Sequence, residues 1–317
     1  MSRIGLAILS LAVICAGAAS AQNYPTRPIR LLTAGAGGGS DIVSRLLAQG
    51  LGARLGQPVV VDSRVGGVII AEIAAKAAPD GYTLVIYSSG LWLIPLMQER
   101  PTYDATRDFS PIALVGSSPM VLVVHPSVAA KSVQELIALA KSKPGQLSSA
   151  TGPLGATPHL SLELFKSMAG VDILTVAYRN IAAGVTDVLG GRVQMMFPNT
   201  GAAMPQIKAG KLRGLGVGSL KPSALAPGLP TISESGLPGF EGVSAYGLFA
   251  PARMPQALVA RLNAEAVAVL TAPEASEKIF AAGVEPIGST PERLRAQMTS
   301  DVAKFGKIIR AAKIRID

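Results

Sequence analysis

The first segment that could do chemistry is a glycine-rich turn at residues 34–41, Ala-Gly-Ala-Gly-Gly-Gly-Ser-Asp. It follows a short apolar run and precedes a helical pattern, which predicts a helix N-terminus flanked by bare glycines. The first N–H groups of a helix lack intrahelical acceptors, and the helix dipole adds about half a positive charge there, which suits a carboxylate or a phosphate. The alternative is an ordinary tight turn in which Ser40 or Asp41 caps the helix.

Two nucleotide-binding motifs are excluded at this turn. The dinucleotide fingerprint would need a third glycine where Ser40 stands, and the Walker pattern would need a lysine that the turn lacks. The turn is therefore an anion site or a simple connection, and it is not a nucleotide loop.

A second glycine-rich turn occupies residues 151–159, Thr-Gly-Pro-Leu-Gly-Ala-Thr-Pro-His, again between a strand pattern and a helix pattern. Thr157 is a good N-cap, and Pro158 fits the first helical position. His159 then lies in the first turn, where the helix dipole disfavours a protonated ring, so a neutral imidazole is expected. The alternative is a histidine with a purely structural role.

The same unit of strand, glycine-rich turn and amphipathic helix therefore occurs twice, in separate parts of the chain. Two helix N-termini that face each other across a cleft could hold a small dicarboxylate, or a monocarboxylate with a polar tail. The paired occurrence favours the anion site over two unrelated turns.

Catalytic groups are scarce in the rest of the sequence. The chain has one cysteine and two histidines, His125 and His159, and no motif with the spacing of a metal site or a nucleophile elbow. His125 precedes a proline at a strand end and is expected to be structural, and Glu163 is expected on a solvated helix face. We expect no enzymatic activity, no metal and no cofactor.

Residues 1–21 have the pattern of a cleaved secretory signal. Arg3 precedes an apolar run, and an Ala-Ser-Ala cleavage pattern ends at Ala21. The only cysteine in the sequence, Cys15, lies within this segment. After Ala21 no stretch has the roughly 20 apolar residues of a membrane span, so the mature protein is expected to be soluble and periplasmic.

Composition disfavours nucleic acid as a partner. The formal net charge of +9 arises from 29 basic and 20 acidic residues without a basic block, and aromatic residues make up only 4% of the chain. Stacking platforms and a concentrated basic patch are therefore both lacking. A modest positive field suits an anionic small molecule.

Strand patterns alternate with helix patterns almost throughout, which predicts mostly parallel sheets with helices on both faces. About 300 residues follow the signal, enough for about two domains with separate cores. The sequence thus predicts two doubly wound α/β domains. A stretch rich in Pro, Gly and Ser at residues 221–242 is expected to be a long connection.

Many short motifs resemble those of the Bug family, the solute-binding proteins of tripartite tricarboxylate transporters, and they span nearly the whole chain after the signal. Besides the Gly-Gly-Gly-Ser-Asp turn they are Tyr24–Arg30, Leu55–Val61, Ala78–Leu84, Gly155–Leu160, Glu163–Lys166, Tyr178-Arg179, Thr186-Asp187, Leu189–Arg192, Ile207–Arg213, Glu234–Phe240 and Gly247–Ala252.

The resemblance implies a two-lobed periplasmic binding protein fold, type II-like, with a hinge and a central cleft that closes on a small carboxylate. It places residues 22–124 and 246–317 in the first lobe and residues 125–245 in the second. The family's two ligand loops correspond to the two glycine-rich turns. The candidate ligand-binding residues are Ala36, Gly37, Gly38, Gly39, Ser40, Asp41, Ser88, Ser89, Gly155, Ala156, Thr157, His159, Tyr178, Asn180 and Asp187.

The chain departs from the family pattern around the expected pocket, at Ala34, Asn180, Gln194 and Ala245. An aromatic wall that often precedes the first glycines is absent from the sequence here. The identity of the bound acid is therefore left open.

The favoured function is an extracytoplasmic receptor that captures a di- or tricarboxylate, or another small organic acid, and delivers it to integral membrane permease subunits. A ligand-dependent adaptor that docks on a membrane sensor kinase would use the same fold and site, and the sequence does not separate the two. An α/β reductase is disfavoured by the failed dinucleotide fingerprint. The receptor is expected to act as a monomer.

Overall fold

The computed structural model describes residues 24–35, 39–64 and 67–316. The signal predicted at residues 1–21 lies outside the described residues, and so do Ala36, Gly37 and Gly38 of the first turn.

The first lobe is built on a six-stranded sheet of order β11-β4-β10-β3-β1-β2. Strands β1, β2 and β3 are parallel, whereas β10 runs antiparallel to both of its neighbours. The strands are β1 (Ile29–Ala34), β2 (Val59–Arg64), β3 (Thr83–Ser88), β4 (Phe109–Pro119), β10 (Val243–Pro251) and β11 (Glu285–Pro286).

The second lobe is built on a five-stranded sheet of order β7-β6-β8-β5-β9. Strand β6 is parallel to β7 and β8, and β5 is antiparallel to β8 and β9. The strands are β5 (Val121–Val124), β6 (Ser148–Thr151), β7 (Leu174–Ala177), β8 (Met195–Met196) and β9 (Arg213–Val217). The predicted α/β architecture with two sheets is confirmed, whereas the prediction of mostly parallel sheets is wrong. Both sheets are mixed, because β10 and β5 each run antiparallel to both of their neighbours.

Helices cover both sheets, as the alternating pattern predicts. Those of the first lobe are α1 (Gly39–Leu55), α2 (Gly67–Ala75), α3 (Gly90–Leu93), α8 (Gln256–Thr271), α9 (Pro273–Ala281) and α10 (Pro291–Ala311), with a short 3-10 helix at Ile94–Met97. Those of the second lobe are α4 (Val133–Ser142), α5 (Thr157–Ala169), α6 (Ile181–Leu189) and α7 (Thr200–Lys208).

The chain passes between the lobes at two places that lie side by side. Met120 separates β4 from β5, and the return path through residues 218–242 ends just before β10. The backbones of Met120, Gly218 and Gly242 are joined by three hydrogen bonds of 2.7 to 2.9 Å. The expected lobe limits at residues 124 and 246 stay predictions, and the strands change sheets between Pro119 and Val121.

One buried apolar cluster continues from the first lobe into the second. It includes Trp92 and Phe249 beside the six-stranded sheet, together with Phe165, Phe197 and Phe240 of the second lobe and the return path. The ring centroids of Phe197 and Phe240 are 5.9 Å apart, in a stacked arrangement. The two lobes therefore share part of their core.

Among the helices of the described ranges, none is both long enough and apolar enough to cross a lipid bilayer.

Candidate functional site

Helix α1 begins at Gly39, just beyond the C-terminal end of β1. The phenol ring of Tyr246, from β10, lies directly against this residue, and a Cβ at Gly39 would collide with the tyrosine hydroxyl oxygen. The start of α1 therefore needs a glycine at this position. The helix N-terminus and the hydroxyl group are immediate neighbours.

Ser40 and Asp41 are buried in the first turn of α1. The Asp41 carboxylate accepts a hydrogen bond from Arg45 Nε at 3.0 Å and another from the hydroxyl of Ser63 on β2. The helix dipole stabilises a carboxylate at this end, and here the carboxylate also ties α1 to β2. Ligand binding by Ser40 and Asp41 stays a prediction.

Ser88 and Ser89 end β3 beside the start of β10. The Ser89 hydroxyl accepts a hydrogen bond of 3.1 Å from the backbone N–H of Ala245, and the Ser88 hydroxyl accepts one of 3.4 Å from the N–H of Gly90. Ser89 is buried. Ser89 thus helps to position the first residues of β10, and Ser88 bonds to the start of α3. Ligand binding by either serine stays a prediction.

The second turn ends at α5, which begins at Thr157, with Ala156 in the N-cap position. Thr157 was expected to be the N-cap and Pro158 the first helical residue, so both expectations are wrong by one residue. The reason is that the Thr157 hydroxyl donates to Ser244 Oγ, 3.3 Å away on β10, instead of capping its own helix.

His159 orders this turn. Its Nδ1 accepts a hydrogen bond of 3.0 Å from the N–H of Gly155, which leaves the proton of a neutral ring on Nε2. Burial lowers the pKa of His159, although the nearby Glu163 carboxylate opposes this effect. The imidazole is neutral at neutral pH, as the sequence predicts.

A neutral buried histidine makes stability depend on pH. The pKa of His159 is lower in the folded protein than in the unfolded chain, so the unfolded chain binds the proton first as the pH falls below about 6.5. We expect the contribution of His159 to the free energy of unfolding to fall between pH 7 and pH 5, at up to about 1.4 kcal/mol per pH unit. The variant His159→Gln should lack this component.

The measurement is urea unfolding of both proteins at several pH values. The difference between the two curves isolates the contribution of His159 to the free energy of unfolding. It removes the contribution of the Asp301 carboxyl, whose pKa is raised by burial to about 6. Asp301 acts with the opposite sign, because a raised carboxyl pKa favours the folded state as the pH falls. Parallel curves for wild type and His159→Gln would contradict the prediction.

Glu163 lies one helical turn after His159, and its expected place on a solvated helix face is wrong. The side chain is buried and accepts hydrogen bonds from Lys166 Nζ at 2.8 Å and from the Thr175 hydroxyl at 3.0 Å. The neighbouring strand β7 covers this side of α5. Because the carboxylate has a cationic partner and a hydroxyl donor, its burial is tolerated.

Tyr178 and Asn180 precede α6, and Asp187 lies within it. The Tyr178 hydroxyl donates to Asp187 Oδ2 at 2.7 Å, and Arg192 donates to Asp187 Oδ1 at 2.8 Å. These hydrogen bonds lower the pKa of the Asp187 carboxyl. Asn180 caps α6 by accepting from the N–H of Ala183. The three residues thus have partners within the second lobe, and their contact with a ligand stays a prediction.

The structure brings the two glycine-rich turns together at β10. Tyr246 contacts Gly39 of the first turn, and Ser244, two residues earlier on the same strand, accepts from Thr157 of the second. Burial raises the pKa of the Tyr246 hydroxyl, and the neighbouring side chains of Ser244 and Asn199 oppose this effect. Two helix N-termini from different lobes therefore flank one short row of hydroxyl groups.

Asn199, Ser244 and Tyr246 adjoin the two turns and are not among the residues predicted from the sequence. Asn199 caps α7, since its Oδ1 accepts from the N–H of Ala202 at 3.0 Å. An Asn-Thr pair before a helix is a recognisable N-cap signal, and the helix indeed begins at Thr200. Ser244 and Tyr246 carry no such local signal.

The described part of this site supplies backbone N–H groups, hydroxyls and a neutral imidazole. The Asp41 carboxylate is balanced by Arg45, and the described ranges contain no cluster of three or more metal-ligating side chains. Such a set of donors can hold an anion by hydrogen bonds. Nothing in it activates a nucleophile.

A separate cavity of about 510 Å³ lies beside α10 and the start of the return path, and it is lined in part by Lys221, Glu241, Asp301 and Lys304. Glu241 and Lys304 form an ion pair across it. Among the predicted ligand-binding residues that the structure describes, none lines this cavity.

Comparison with known proteins identifies the family to which this chain is similar. The profile described as tripartite tricarboxylate transporter family receptor matches residues 43–314. Protein BugT of Bordetella pertussis is 35% identical over 319 residues, which cover 98% of this chain and 97% of BugT.

Two solved structures with bound acids are similar to this chain over most of its length. Rpa4515 of R. palustris with adipate has a TM-score of 0.85 at 35% identity, covering 92% of this chain and 99% of that one. MatC of Rhodopseudomonas palustris with bound malate has a TM-score of 0.81 at 25% identity, covering 90% of this chain and 100% of that one.

Proposed function

This chain belongs to the tripartite tricarboxylate transporter receptor family, and we propose that it captures a small dicarboxylate outside the cytoplasmic membrane and delivers it to the permease subunits of a tripartite-type transporter. The resemblance to the Bug family that the sequence predicts is confirmed, and so is the periplasmic binding protein fold. Members of this family are binding proteins and not enzymes.

The observation that supports this function most directly is the convergence of two helix N-termini on β10. Gly39 begins one helix and Thr157 begins the other, and each adjoins a hydroxyl-bearing residue of the same strand. Each N-terminus offers N–H groups that lack intrahelical acceptors. A ligand with a carboxylate at each end would satisfy both.

The ligands of two relatives indicate the class of acid. Rpa4515 was solved with adipate and MatC with malate, and both ligands are dicarboxylates. This protein departs from the family pattern at Ala34 and Ala245, among other positions. Its acid can therefore differ from adipate and malate in carbon-chain length or in substituents. We therefore propose a dicarboxylate as the class of ligand, and binding measurements with several acids would identify the individual compound.

The proposed location and partner rest on the same family. A signal pattern at residues 1–21 directs export, and a receptor outside the membrane needs permease subunits to move its ligand inward. Closure of the two lobes around the ligand would be a hinge motion at the paired crossings near Met120 and Gly242.

The test is a thermal-shift and calorimetric screen of the mature protein against adipate, succinate, malate and citrate, with hexane-1,6-diol as the uncharged analogue of adipate. At 100 to 1,000 times its dissociation constant, a true ligand should raise the free energy of unfolding by about 3 to 4 kcal/mol. The diol should have no effect. A protein that none of these acids stabilises would not be the receptor proposed here.

A further inference from the structure

The second glycine-rich turn is exposed on one side and supported on the other. Pro153 and Leu154, at its tip, are exposed, whereas Gly155 is buried. The heavy atoms nearest to the Cβ position at Gly155 are Met97 Cε at 2.9 Å, Met97 Sδ at 3.1 Å and Ile316 Cδ1 at 3.6 Å. Met97 and Ile316 pack with the first lobe, so a turn of the second lobe rests on two side chains of the first.

The end of helix α10 directs the chain towards this contact. Lys313, just beyond the helix, has a φ of +50°, and its N–H donates to the carbonyl of Arg310 at 3.3 Å. The N–H of Ile314 donates to the carbonyl of Ile309 at 3.0 Å. These are the two hydrogen bonds of a Schellman motif. Ile309 and Ile314 are both buried, which supplies the apolar contact that accompanies the motif and anchors the segment that leads to Ile316.

A backbone hydrogen bond then fixes Ile316 beside Met97. The N–H of Ile316 donates to the Met97 carbonyl at 3.2 Å. Met97 is fully buried in the apolar cluster that includes Trp92 and Phe249, and Ile316 packs against the same cluster. Both side chains are therefore held by contacts of their own, independently of the turn that they support.

Gly155 depends on such support because glycine has more conformational freedom than any other residue. Its φ of +80° directs its N–H at His159 Nδ1, 3.0 Å away in the first turn of α5. A change of φ would break this hydrogen bond and alter the start of α5. One carboxylate of the acid is proposed to bind there.

We propose that Met97 and Ile316 are positioning residues, which hold the second turn from the first lobe in the conformation that binds one carboxylate of the acid. This rests on the proposed function, and it assigns part of the affinity to an apolar contact between the lobes. The Ile316 side chain has no group that could bind a carboxylate, so its effect on affinity must pass through Gly155. A hinge motion that separates the lobes would break the contact. The contact therefore also favours the arrangement in which the two turns flank β10.

The first test is calorimetry with the acid that binds wild type most tightly in the screen above. Ile316→Ala removes the side-chain atoms over Gly155 and should weaken binding about 3- to 10-fold, the scale of a partly buried apolar contact. Ile316→Leu keeps a side chain of the same size and should restore most of the affinity. Ile287→Ala is the matched control and should bind as wild type does. Ile287 is also partly buried against the same cluster, but its backbone bonds to Val115 of β4.

The second test needs no ligand and reports on the turn itself. Burial lowers the pKa of His159, while the Glu163 carboxylate raises it and the Lys166 ammonium group lowers it. If the turn loosens in Ile316→Ala, water should reach the imidazole, and the pKa of His159 should rise towards its ordinary value of about 6.5. An NMR titration of the histidine ring protons measures this change. The titration of His159 in Ile287→Ala should match that in wild type.

The proposal requires both changes, and their outcomes separate it from the proposed function. If wild type binds an acid and Ile316→Ala either binds it within twofold or leaves the His159 titration unchanged, Ile316 does not position the turn, and the receptor function stands. Equal weakening by Ile316→Ala and Ile287→Ala would also overturn the proposal, because loss of packing alone would account for both. If wild type binds no acid, the proposed function fails, and the ligand-positioning role fails with it.

Should Ile316→Ala unfold, the smaller change Ile316→Val decides the matter. Unchanged affinity and an unchanged His159 titration in that variant would overturn the proposal.

Discussion

Gly155→Val is expected to abolish binding of the acid while the protein stays folded. Gly155 has a φ of +80°, a conformation that costs a non-glycine residue about 1 to 3 kcal/mol and is worst for a β-branched one. Its N–H also donates to His159 Nδ1, so a change of φ would rotate that donor away and reshape the start of α5. Because the ligand is proposed to bind this helix end, affinity should fall at least 100-fold.

Calorimetry for affinity and circular dichroism for folding would measure the two effects separately. A Cβ at Gly155 meets chiefly the end of the flexible Met97 side chain, at 2.9 Å, so packing alone should not unfold the protein. Gly228→Val is the matched control, since its φ is +81° and nothing lies within 4 Å of its Cβ position. It should lose similar stability and keep full affinity. Normal binding by Gly155→Val would mean that the second turn is an ordinary connection.

Local signals predict most of this fold. Ser132 and Glu135 have the spacing of a capping box at the start of α4, and Ser132 Oγ accepts a hydrogen bond of 3.1 Å from the N–H of Glu135. The Glu135 side chain accepts from the N–H of Lys131, one residue earlier than the usual reciprocal bond. Such contacts join residues within one helical turn of each other, so the residue types at these positions are enough to predict the contacts.

Contacts between distant segments are the part of the fold that could not be predicted from the sequence pattern. The segment Val115–Val124 contains a β-like run, but the residue pattern does not show that Met120 divides this segment between two sheets. Tyr246 lies in a segment with the residue pattern of a strand. Only the fold brings it into contact with Gly39, about two hundred positions earlier in the chain. Its contact with Gly39 follows from packing and not from a motif.

Glu163 illustrates the same limit for burial. Its position on α5, with Lys166 three residues later, is typical of a solvated helix face with an ion pair. The structure keeps the ion pair and buries it, because Thr175 of β7 adds a third partner on that side. Which face of a helix a neighbouring strand covers is a property of topology, so local spacing could not predict it.

Gly283→Val is expected to have the largest effect on stability, because it acts on the contact between the lobes. A Cβ at Gly283 would collide with the backbone of Gly201 in α7 of the second lobe. The hydroxyls of Ser118 and Thr200 both donate to the Gly283 carbonyl at 2.7 Å. If the collision forces Gly283 away from Gly201, both hydrogen bonds would weaken. The φ of +81° at Gly283 would add conformational strain in the variant.

Together these effects should lower the free energy of unfolding by about 3 to 5 kcal/mol. Urea unfolding of wild type and two variants measures this. Gly239→Val is the control, because its φ of +83° carries the same strain and nothing lies within 4 Å of its Cβ position, so it should lose only about 1 to 3 kcal/mol. Equal losses in the two variants would show that conformational strain accounts for the whole effect and that the Gly201–Gly283 contact contributes nothing. A larger loss in Gly283→Val, accompanied by weaker binding of the acid, would instead indicate that this contact helps to hold the two helix N-termini on either side of β10.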